Sequence, residues 1–107
     1  MGDIVERRMQ NITVIKEGSV CMIKPAEVLL GVGGRAIFYN LTGDPITVMF
    51  PDVNLFGKNV LEINSEPSES LTVSQETELG SFPYSVFCHG INDFAHASLP
   101  RIIVYRK

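Results

Sequence analysis

Apolar and polar residues alternate with a period of two through most of this chain, and almost nowhere with a helical period. Ile12 and Val14 interleave with Thr13, and Met22 with Cys21 and Ile23. Tyr84, Val86 and Cys88 interleave with Ser85 and Phe87. Such spacing puts successive side chains on opposite faces of a strand with one buried side. The pattern predicts strands over residues 12–16, 20–24, 27–30, 35–40, 46–50, 59–64, 70–74, 84–88 and 101–105. Turn signals separate them: Glu17-Gly18-Ser19, Pro25, Gly31-Val32-Gly33-Gly34, Thr42-Gly43-Asp44-Pro45 and Ser65-Glu66-Pro67-Ser68. Residues 51–58 read as loop, and residues 75–79 as a loop or a single helical turn. The runs on either side of Thr42-Gly43-Asp44-Pro45 read as the clearest hairpin.

Eight or nine short strands with regular turns define an all-β, antiparallel sandwich or barrel. Alternation assigns the core to Ile12, Val14, Ile23, Val28, Leu30, Ile37, Tyr39, Val48, Phe50, Leu61, Leu71, Val73, Tyr84, Val86, Ile102 and Val104. A register error of one residue would invert any of these strands.

The length of 107 residues fits one domain over 1–107, with no internal repeat or linker. Of these residues 45% are hydrophobic, which suffices for a core, and the net charge is −3. The basic residues form no cluster larger than Arg7-Arg8 or Arg106-Lys107, so a nucleic-acid footprint is absent. Glu62, Glu66, Glu69, Glu76 and Glu78 make the third quarter acidic, which reads as a solvated face. No run reaches the ~20 apolar residues of a transmembrane helix, and the first residues carry no signal-peptide core. The glycine run before Arg35 precedes β-formers rather than a helix, so it is a strand turn and not a phosphate loop.

Four pieces of sequence occur in an order that resembles the cupredoxins, the small blue-copper β-sandwich proteins. They are Ile23-Lys24-Pro25-Ala26-Glu27-Val28-Leu29-Leu30 before a glycine turn, and Ala36-Ile37-Phe38-Tyr39-Asn40-Leu41-Thr42-Gly43-Asp44-Pro45. Glu66-Pro67-Ser68-Glu69-Ser70-Leu71-Thr72-Val73 and the run from Gly80 to Cys88 complete the set. The resemblance covers residues 20–105. It implies a Greek-key sandwich of about eight strands, a periplasmic or extracellular setting, and copper as the cofactor to consider.

A type 1 copper site uses two histidines and a cysteine in a plane, with a weak axial methionine. In the resembling family the first histidine follows the turn before the second hairpin strand, where this chain has Ile46 after Pro45. The second histidine lies two to four residues beyond the cysteine, where this chain has Ile91, Asn92 and Asp93. The family's axial methionine closes the loop, and this loop contains none. Cys88 matches the ligand cysteine, and His96 is the histidine able to approach the second-histidine or axial position. His89 follows Cys88 directly, and alternation sends it to the opposite face.

Cys88, His89 and His96 are therefore the candidate metal residues, with Met22 or Met49 as an added soft donor for Cu(I). Cys88 has two competing readings, a small buried core residue or a disulfide partner of Cys21. No nucleophile elbow, carboxylate pair or Cys–His dyad with the right geometry is present, which argues against an enzyme. The expectation is a non-enzymatic binding or accessory domain with no cofactor, using a protein partner at the loop Ile91-Asn92-Asp93-Phe94. The alternative is a copper-binding or electron-transfer protein with an altered site around Cys88 and His96.

Overall fold

A computed structural model describes residues 8–64, 68–96 and 100–105. The turn expected at Ser65-Glu66-Pro67 and the basic pair Arg106-Lys107 lie outside the described residues. The described residues form eleven strands and one short helix: β1 (Met9–Glu17), β2 (Val20–Lys24), β3 (Glu27–Gly31), β4 (Arg35–Leu41), β5 (Ile46–Met49), α1 (Val53–Phe56), β6 (Val60–Ile63), β7 (Ser68–Thr72), β8 (Gly80–Pro83), β9 (Ser85–Cys88), β10 (Asp93–Phe94) and β11 (Arg101–Tyr105). The count exceeds the expected eight mainly because the predicted strand ending at Cys88 is part of a longer run broken at Tyr84, and because β10 is added.

One sheet has the order β2-β1-β4-β7. The other strands form two ladders, β10-β9-β5-β6 and β3-β11-β8, which meet along the run from Gly80 to Cys88. Most pairings are antiparallel as expected. Two are parallel, β1 with β4 and β3 with β11, and alternation along a single strand carries no information about that. Arg101 and Glu27, facing partners in the β3–β11 ladder, also join through the Arg101 Nε and the Glu27 carboxylate at 2.6 Å.

The predicted hairpin of residues 35–40 with 46–50 is not formed. β4 pairs with β1 and β7, whereas β5 pairs with β6 and β9. The turn between them carries the chain from one sheet to the other. Asn40 explains why. It is fully buried at the end of β4, and its amide donates to the carbonyls of Asp44 (2.8 Å), Ile63 (3.1 Å) and Asn64 (3.1 Å). Its Oδ1 accepts from the Thr42 backbone N–H and the Thr42 hydroxyl. A buried amide satisfied on both sides ties the turn to the end of β6 instead of letting β5 fold back on β4.

The core matches the alternation pattern except in β4. Ala36, Phe38 and Asn40 point inward, while Ile37 and Tyr39 lie on the half-buried face. Residues 36–39 are all apolar, so that stretch has no period of its own, and the inward polar residue is the satisfied Asn40. Phe38, Phe50, Phe56 and Tyr84 form an edge-to-face and tilted cluster with ring centroids 5.0–6.0 Å apart. Phe56 and Leu55 come from α1, within a segment expected to be loop. Asp52 caps that turn by accepting from the Asn54 N–H at 2.9 Å, and Gly57 closes it at φ 85°. The pair of an N-cap aspartate and a following glycine is the signal that identifies it.

Candidate functional site

The chemistry-bearing residues gather at the end of the sandwich where β9 turns into β10. β9 is central there, with β5 on one side and β10 on the other. Its inward positions are Val86 and Cys88, after Tyr84 just before the strand, as the alternation requires. Cys88 is 1% exposed and stands opposite Ile46, which is fully buried. On its other side Cys88 pairs with Asp93. Residues 89–92 make the turn, with the Ile91 N–H donating to the Cys88 carbonyl (3.3 Å) and the Asn92 N–H to the His89 carbonyl (3.2 Å). Asn92 takes φ 54°, a left-handed position that asparagine tolerates. Ile91 then packs against the core.

The turn is fixed from the opposite side by residues 41–45. The His89 N–H donates to the Pro45 carbonyl at 3.1 Å. The Asp44 carboxylate lies over Gly90 so closely that a Cβ there would collide with it, and it also meets Lys16 Nζ at 3.3 Å. A larger residue at position 90 would have to push the half-exposed Asp44 side chain aside.

The three candidate metal residues are held in separate environments. Cys88 faces the core. His89 faces outward on the other side of the strand, its Nε2 2.8 Å from the Thr47 hydroxyl and its ring edge-on to Phe87 at 5.2 Å. His96 has an exposed ring whose Nε2 lies 3.8 Å from Asp93 Oδ2. Its backbone N–H donates to the Cys21 carbonyl at 2.8 Å, forming a bridge to β2. Met22 and Met49 alternate with buried neighbours and occupy the half-buried faces of β2 and β5. Among the described residues, no group of three or more His, Cys, Asp and Glu side chains is arranged to hold a metal ion.

The neighbour of Cys88 is Cys21. Cys21 is fully buried in β2, both cysteines are free thiols, and both belong to the same core cluster. Burial pushes the Cys88 thiol up to about 12, and the Cys21 thiol and the Asp93 carboxylate add to that rise by disfavouring a thiolate beside them. Cys88 is thus held protonated and unreactive in the closed fold. Tyr84 is similarly raised by burial, and its hydroxyl has no hydrogen-bond partner among the described residues.

A sandwich whose central strand delivers one inward cysteine at its loop end is the architecture of the cupredoxins, and the chain has a cupredoxin-like fold. It resembles a purple cupredoxin from Nitrosopumilus maritimus, with a TM-score of 0.58 and 18% identity over 90% of this chain and 99% of that one. It also resembles amicyanin from Paracoccus versutus, with a TM-score of 0.60 and 19% identity over 91% of this chain and 81% of that one. A Cu(I) form of an amicyanin variant gives a TM-score of 0.56 and 23% identity over 89% of this chain and 82% of that one. No protein-family model matches the chain, and no curated protein matches it.

Proposed function

We propose that this chain is a non-enzymatic binding or accessory domain that keeps the cupredoxin scaffold without a type 1 copper centre. The observation that carries this reading is the pairing of Cys88 with Ile46, a fully buried alkyl group at the position where the resembling family places its first histidine. Ile91, three residues beyond the cysteine, is half-buried and packs against the core. Both side chains lack a lone pair for a metal, and a buried alkyl group excludes the water and polar partners that an ion needs. His89 and His96 are each occupied at the surface. The donor set of two imidazoles, thiolate and thioether is thus not gathered around Cys88.

On this reading the domain works through its surface, in a periplasmic or extracellular setting, with a protein partner at residues 91–94. Phe94 supports this. It is 47% exposed, and it stacks on Phe87 at 5.1 Å, so it presents a rigid aromatic at the loop end. Among the described residues no helix is long and apolar enough to cross a membrane.

Titration of the reduced protein with Cu(II) and with Cu(I), followed by visible absorption and native mass spectrometry, tests the reading. No intense thiolate-to-copper band and no tight uptake is the expected result. One-to-one copper binding lost in Cys88→Ser would overturn it. The second reading, copper handling by an altered site around Cys88 and His96, is favoured by one observation: the Cys21 thiol beside Cys88 adds a second soft donor of the kind that suits Cu(I).

A further inference from the structure

We propose that Cys21 and Cys88 are an oxidisable dithiol that closes to an intramolecular disulfide, cross-linking β2 of one sheet to β9 of the other. The two thiols belong to strands far apart in sequence, yet both are buried in one core cluster at the end where residues 93–96 pair with both strands, and Cys21 is the side chain that acts on Cys88. An isolated buried cysteine is a small apolar residue, whereas two that share one end of the same core are candidates for a cross-link between the strands that carry them.

The cover over this pair is short. Residues 93–96 pair with β9 at Cys88 and Phe87, and then with β2, where the His96 N–H bonds to the Cys21 carbonyl. One segment thus runs alongside both cysteines. Its strand, β10, has only two residues, and both are exposed. So few buried contacts put this segment at the low end of local opening free energy. When it lifts, water and a dissolved oxidant reach the thiols.

The oxidant is a small-molecule disulfide or a disulfide-donating oxidoreductase. One cysteine thiolate attacks a sulfur of that disulfide, forming a mixed disulfide and releasing one thiolate. The second cysteine, after losing its proton to solvent, attacks the mixed disulfide at the protein sulfur and releases the second thiolate. The protein loses two hydrogens and the oxidant becomes two thiols. The resulting link fixes β2 against β9 and closes the sandwich at the loop end. It stands apart from the reading of the domain as copper-free, because no metal takes part in it.

The test uses the wild-type chain, stripped of metal with a chelator, incubated with oxidised glutathione under native conditions. It is then denatured, alkylated with iodoacetamide and mapped by peptide mass spectrometry. The expected product takes up no alkyl group, yields a Cys21 peptide joined to a Cys88 peptide, and melts several degrees higher until dithiothreitol reverses the shift. Phe94→Gly, which removes the ring contact of β10 with Phe87, is expected to speed the closure several-fold. Two alkylated cysteines per chain, or glutathione adducts without an internal link, would overturn the proposal. An unchanged rate in Phe94→Gly would overturn the route through β10. Whether copper binds is read in a separate titration, so the two ideas fail independently.

Discussion

Ile46 and Cys88 are direct partners in the β5–β9 ladder, and both are sealed from solvent. A thiol at the loop end of a cupredoxin-like sandwich thus faces an alkyl side chain across the strand pair. The pairing accounts for Cys88 as part of the core.

On the copper-free reading proposed above, converting Ile46 and Ile91 to imidazoles is expected to create a type 1 copper site at Cys88. Ile46→His combined with Ile91→His should give a Cu(II) complex with an intense visible thiolate band, absent from the wild type and from the same variant carrying Cys88→Ser. The change places polar rings in a packed region and should lower metal-free stability by about 2–4 kcal/mol. Visible absorption and chemical denaturation measure the two effects. A double variant that folds and binds Cu(II) without such a band would show that position 46 is not the deciding one.

Asn40 holds the crossover between the sheets, and its removal should be expensive. Asn40→Ala leaves three buried or half-buried carbonyls and the Thr42 donors without their amide partner. A loss of about 2–4 kcal/mol is expected from urea unfolding. Asn40→Asp should be no better, because a carboxylate would face those carbonyls. If either variant were as stable as the wild type, Asn40 would not be what sets the turn.

The Tyr84 hydroxyl is buried and without a partner among the described residues. Tyr84→Phe keeps the ring contacts with Phe38 and Phe50 and removes an unsatisfied polar group. The variant should be as stable as the wild type or more so, by up to about 1 kcal/mol. A clear loss in thermal midpoint would mean that the hydroxyl has a bonding partner in solution.

Cys88 links stability to alkaline pH. Its folded-state thiol is raised from an ordinary value of 9.0 to about 12, so the unfolded chain gives up this proton first. Between those values the folded state binds more protons than the unfolded state, and stability falls as pH rises. The slope contributed by this one group is at most about 1.4 kcal/mol per pH unit. Below pH 9 the contribution is flat. Melting curves from pH 8 to 10 should decline more steeply for the wild type than for Cys88→Ala. The comparison is cleanest below pH 10, because Tyr84 is also raised by burial and adds its own decline above that value. Parallel slopes would show that Cys88 ionises normally in the folded chain.

Much of this protein follows from its sequence alone. The period of two placed nearly every strand and assigned inward faces correctly in β1, β2, β3, β5, β6, β7, β9 and β11. It also put His89 on the face opposite Cys88, and it was the resemblance to the cupredoxins, not the spacing, that set Ile46 and residues 91–93 against that family's histidine positions. The register of β4 was not legible, since four consecutive apolar residues fit either face and the residue that breaks the tie, Asn40, is a polar group buried by its hydrogen bonds. The parallel pairings and the crossover after Asn40 were equally hidden, because local alternation says which way a side chain points and not which strand lies beside it. The meeting of Cys21 with Cys88 is the same kind of fact. Each cysteine reads locally as a small core residue. Only the packing of two sheets, with residues 93–96 running alongside both strands, brings the two cysteines to the same end of one core.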